Sequence, residues 1–81
     1  MTTQFEDLSH PTQAEVVVPD DAANLPHAGI IYVGGDGDIE VITSGGDTVT
    51  YVGLKQGTWL PVHVTRVKAT GTTATNLIVN Y

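Results

Sequence analysis

Three histidines, nine carboxylates, two serines and no cysteine are the groups from which this chain would have to build any chemistry. His10, His27 and His63 lack metal spacing: the first two stand beside prolines in polar stretches and the third sits in a β-patterned run. A zinc site needs about four converging ligands, and there is no thiolate to help. Asp36, Asp38 and Glu40 match the opening of an EF-hand loop, but Val41 stands where the sharp turn requires glycine. Gly34-Gly35-Asp36-Gly37-Asp38 approximates a calcium-binding β-repeat with its last aspartate one residue early and no second copy. The plainer reading of Asp36, Asp38, Glu40 and Asp47 is a hairpin whose strand shows an acidic, solvated face. Ser9 and Ser44 lie in no Gly-x-Ser-x-Gly elbow, and a thiol enzyme is excluded. Carboxylate pairs are expected by chance in an acidic chain and do not indicate glycoside hydrolysis. The glycine pairs open no helix and so are not phosphate loops. Five aromatics, Phe5, Tyr32, Tyr51, Trp59 and Tyr81, are few for a stacking platform. The expectation is a protein without metal or cofactor that is not an enzyme.

The elements that carry these residues are strands. Val, Ile and Thr make up 28 of the 81 residues, and branched side chains suit a pleated surface better than a helix. Ala14 to Val18, stopped by Pro19, reads as a short edge strand. From residue 30 the pattern predicts strands over Ile30–Val33, Asp38–Thr43, Thr48–Val52, Trp59–Lys68 and Asn76–Tyr81, separated by turns that each contain glycine. Alternation puts Ile39 and Val41 on one face with Asp38 and Glu40 on the other. It also opposes Leu60, Val62 and Val64 to Trp59, His63 and Thr65. Pro61 removes a backbone donor, so its strand is either an edge or bulged there. Asp20 to Asn24 is the best helical segment, long enough for a single turn. The expected fold is all-β: one small antiparallel sandwich or barrel-like domain over residues 14–81, behind an extended N-terminal arm over residues 1–13.

Eighty-one residues allow one domain, and a domain this small buries only about 60% of the surface of its unfolded chain. Without disulfides, the extra stability is expected from a partner, most simply further copies. No apolar run approaches the ~20 residues of a membrane span, and the N-terminus has no signal-peptide pattern; a soluble protein made in the cytoplasm is expected. All nine acidic residues lie from Glu6 to Asp47, and all three basic ones, Lys55, Arg66 and Lys68, follow. So few cations argue against nucleic acid and against an anionic membrane surface. The asymmetry reads either as solubility or as unlike halves facing each other, within the fold or between subunits. On the second reading Lys55, Arg66 and Lys68, with Trp59, are candidate subunit-interface residues. Phe5 and Leu8, three apart in the polar arm, are candidate anchors for docking on another protein.

Much of the chain resembles a known family. The residues that carry the likeness are Ile30-Ile31-Tyr32-Val33-Gly34, Gly37-Asp38-Ile39, Gly46-Asp47-Thr48-Val49-Thr50-Tyr51 and Gly57-Thr58-Trp59-Leu60-Pro61-Val62-His63-Val64-Thr65-Arg66-Val67. Ala69-Thr70-Gly71-Thr72-Thr73-Ala74-Thr75 completes them. This resembles the small head spike base proteins of tailed bacteriophages and phage-derived gene transfer agents, over about two-thirds of the chain. The resemblance implies a structural or decoration protein of the virion with a β-sandwich fold, on the capsid surface. It also implies a homo-oligomeric ring, a pentamer in preference, which sits on the major capsid protein and carries a receptor-binding spike fibre. The resemblance does not extend to residues 1–27; that Phe5 and Leu8 form a capsid-docking arm is expected from the polar, proline-containing pattern of that segment alone. The alternative from another class is a carbohydrate-binding module of a phage tail or fibre, which would show a stacking aromatic pair with convergent amides.

Overall fold

The computed structural model describes residues 11–81. The valine- and threonine-rich runs form six strands: β1 (Ala14–Val16), β2 (Gly29–Tyr32), β3 (Gly37–Thr43), β4 (Thr48–Leu54), β5 (Trp59–Lys68) and β6 (Ile78–Asn80). All pairings are antiparallel, in one sheet of order β1-β6-β2-β5-β3-β4. The all-β, antiparallel expectation is met, and β1 is an edge as its Pro19 stop implied. The opposite edge is β4, the outer arm of the β3–β4 hairpin. The possible helical turn at Asp20 is instead a turn capped by its own carboxylate, which accepts the amides of Ala22 (2.7 Å) and Ala23 (3.0 Å).

One face of the sheet builds the core from Ile31, Ile39, Val41, Leu60, Val64, Val67 and Val79, joined by Val17, Val33, Ala74 and Leu77 from the segments that flank the strands. Ile39 and Val41 point inward as alternation required, and Val62 packs against the same cluster as Leu60 and Val64. Val67 joins them although it breaks the alternation. Ile42 pairs with Arg66, but Thr43 pairs with Val64, so Thr65 is an extra residue on β5. This bulge returns the next odd-numbered residue to the inner face. The Thr65 hydroxyl donates to the Ile42 carbonyl at 3.1 Å and fixes the kink. A second irregularity lies at Pro61: Ile30 pairs with His63 and Tyr32 with Trp59. Pro61 is thus accommodated by a bulge in an interior strand, the second of the two arrangements its missing N–H allowed.

Candidate functional site

The sheet's outer face is divided by composition. Because directly paired residues share a face, Val16, Ile78, Tyr32 and Trp59 form one row across β1, β6, β2 and β5. Trp59 is 54% exposed, and its ring meets Tyr32 edge-on, with centroids 5.0 Å apart and planes inclined at 62°. Beyond this apolar row the same face turns charged: Glu40 pairs with Lys68 across β3 and β5, with carboxylate and ammonium 3.5 Å apart.

The three cations stand in different settings. Lys68 has Glu40. Arg66 donates from Nε to the Asn24 amide oxygen (3.0 Å) and from Nη1 to the Asp21 carbonyl (3.2 Å), holding the 19–27 loop against β5. Lys55, exposed just beyond β4, has no carboxylate among the described residues within ion-pair distance. Part of the charge asymmetry is therefore answered inside the fold by the Lys68–Glu40 pair, whereas Arg66 binds two neutral oxygens of the 19–27 loop. Phe5 and Leu8 lie outside the described residues.

The carboxylates singled out for metal do not converge. The Asp36 carboxylate accepts the Gln56 amide (2.7 Å), Asp38 the Gly53 amide (2.8 Å), and Glu40 takes Lys68. Among the described residues no three His, Asp or Glu side chains gather as a ligand set. Ser44 and His63 sit 2.7 Å apart, Oγ to Nδ1, a contact that sequence spacing did not reveal because 19 residues separate them. Both are exposed, and the Ser44 amide also bonds the His63 carbonyl (2.8 Å), so the pair closes the hairpin turn onto β5.

Two polar clusters tie the ends of the chain to the sheet. Asp21 accepts both the Thr70 hydroxyl (2.7 Å) and the Thr70 amide (2.8 Å), and these bonds hold its carboxyl below the usual range. At the β1 edge, His27 stacks on Tyr81 with centroids 4.4 Å apart, and Glu15 Oε1 lies 3.5 Å from His27 Nδ1. Burial, followed by the negative charge of Glu15, pushes the Tyr81 phenol up. Beside this edge runs a groove of about 220 Å³ lined by Val16, Val18, Leu25, Pro26 and Val79, with Glu15 and Asp20 at its rim.

What the fold and these surfaces define, among the described residues, is a small, single-sheet β protein with an apolar row on its outer face and two strand edges, β1 and β4, that pair with no other described segment. The arrangement offers contact surfaces. No family model matches the chain, and no curated protein matches it. Among solved structures it is similar to a chain of the capsid of a native GTA (gene transfer agent) particle, a structure computed with C5 symmetry. The two share 30% sequence identity over 88% of this chain and 83% of that one, with a TM-score of 0.77. This chain belongs to the same family as that gene transfer agent capsid chain.

Proposed function

We propose that this protein is a non-enzymatic, capsid-associated structural protein of a phage-like particle, assembling as a ring of five that forms the base of a head spike. The observation that carries the reading is the 30% identity and 0.77 TM-score to a chain of a gene transfer agent capsid, a structure computed with C5 symmetry, over 88% of this chain and 83% of that one. The physics of the chain supports it. A Cys-free domain of this size gains buried area from neighbours, and the Val16–Ile78–Tyr32–Trp59 row leaves apolar surface for them. In this reading the residues before the sheet, with Phe5 and Leu8 as anchors, dock on the major capsid protein, and the outer surface receives the fibre. Lys55 and Trp59 are its most available interface residues, and Arg66 and Lys68 brace the surface around them.

The sugar-binding alternative has one observation in its favour, the exposed Trp59 beside Tyr32. The two rings meet at 62° and make no flat platform. The Asn80 amide on the same face is already engaged, its Nδ2 donating to the Ile30 carbonyl (3.1 Å).

The test is attachment to particles assembled without this protein. The full chain is expected to bind them. A chain lacking residues 2–10 is expected to fold but not attach, because the backbone bonds of Thr12 and Gln13 to Tyr81 remain. Equal attachment by the truncated chain would refute the docking arm, and failure of the full chain to attach would refute the capsid role.

A further inference from the structure

We propose that the subunits of this ring join by strand addition, the free edge of β4 in one copy pairing antiparallel with the β1 edge of the next. The inference rests on the ring reading above and names its contact. β4 is seven residues long, Thr48-Val49-Thr50-Tyr51-Val52-Gly53-Leu54, with no charge and no proline. Soluble proteins guard such an edge with lysine, proline or a covering segment. Among the described residues no segment covers this edge and only the bulge at Gly53 (φ +72°) interrupts it, so the strand is a template for another strand.

The other edge has the matching form. Gln13 and Tyr81 exchange both backbone bonds (2.8 and 2.9 Å), and the Val17 amide bonds the Leu77 carbonyl (2.9 Å). The alternation of an antiparallel ladder then turns the backbone groups of Ala14 and Val16 away from β6. On β4 the Thr43 amide bonds the Asp47 carbonyl (2.8 Å), so by the same alternation Thr48 and Thr50 face away from β3. Paired through these residues, the two copies keep outer face with outer face. With Thr50 opposite Val16, Val52 (75% exposed) lies opposite Ala14 and diagonal to Val16 (74% exposed), and Thr48 lies opposite Val18 (77% exposed). Val49 and Tyr51, on the inner face opposite Val41 and Ile39, approach the groove beside β1.

Strand number selects a second copy as the occupant. The six strands alternate in direction across the sheet, so β4 and β1 run oppositely. Adding β1 of an identically oriented copy to β4 therefore continues the antiparallel pattern without a break. A head-to-tail contact of this kind closes into a ring when the rotation permits. The edges are also unlike in charge. Residues 11–28 carry Glu15, Asp20 and Asp21 with no Lys or Arg, whereas Lys55 stands at the end of the uncharged β4. Two β1 edges therefore repel, and an edge of each kind attracts.

The experiment blocks one edge at a time with proline at an outward-facing amide, where the internal ladder loses no bond. Thr50→Pro closes β4 and Val16→Pro closes the β1 edge; Val52→Glu, which sets a carboxylate against the acidic β1 edge, and Val16→Lys, which sets an ammonium against the Lys55 end, are the second pair should either proline variant fail to fold. Native mass spectrometry at micromolar concentration reads the outcome. The wild-type chain is expected as a ring, each variant alone as a monomer with self-association weakened about tenfold or more, and an equimolar mixture of the two as a one-to-one dimer through the remaining good edges. A wild-type monomer would overturn the ring reading and this contact with it. A wild-type ring that both folded variants still form would overturn the edge contact and leave the ring standing. A Val16→Pro variant that dimerises alone would show β4 pairing with itself and would also overturn the proposal.

Discussion

Single side chains determine how firmly the long loop and the turns are held to the sheet. The Asp21 carboxylate is held by two bonds to Thr70, its partner 49 positions away, and these lower its pKa. A carboxyl whose folded pKa lies below its unfolded value stabilises the fold above the ordinary carboxylate range, and this contribution is lost as pH falls through the depressed value. Asp21→Asn is therefore expected to melt below the wild type at neutral pH, with the gap closing on acidification. Melting scans across the acid limb check this, and a gap that stays constant would contradict it. Gly71 has φ +90°, and a Cβ there would strike the Glu40 side chain that pairs with Lys68. Gly71→Ala is expected to cost about 1–3 kcal/mol from backbone strain and the displaced carboxylate. Denaturant unfolding that shows no loss would mean the turn relaxes freely.

The strands were largely legible at the level of the element, because period-two alternation and glycine turns report directly on pleat and hairpin. Ile39 with Val41, and Leu60 with Val64, share the faces their spacing indicated, and in both strands that face is the core. Val67 was not legible, because a single bulge at Thr65 shifts the phase of everything after it, and no residue type marks that shift in sequence. Nor was the strand order legible: β2 and β3 are consecutive, yet β5 lies between them. The polar ties, Asp21 to Thr70 and Ser44 to His63, depend on that order and were hidden with it. The bulge itself makes a prediction. Thr65→Val keeps the shape and removes the hydroxyl bond to Ile42, and should cost about 0.5–1.5 kcal/mol. Urea unfolding should show a lower midpoint with an unchanged slope. An unchanged midpoint would mean that the bulge is set by packing alone.

Taken whole, the described residues form one sheet with its core on one face, an apolar row on the other and two edges that no other described segment pairs with. The chain it is similar to belongs to the capsid of a gene transfer agent particle. The surfaces themselves were only partly legible. The charge asymmetry pointed to unlike contact regions, but the structure assigns Lys68 and Arg66 to partners within the chain and leaves Lys55 and Trp59 outward. Electron cryomicroscopy of particles assembled with and without this protein, reconstructed at the capsid vertices, decides whether the chain forms a capsid-bound ring. Five copies of the sheet are expected around each occupied vertex, in density that is missing from particles assembled without the chain. Identical vertices in both preparations would contradict the capsid-bound ring.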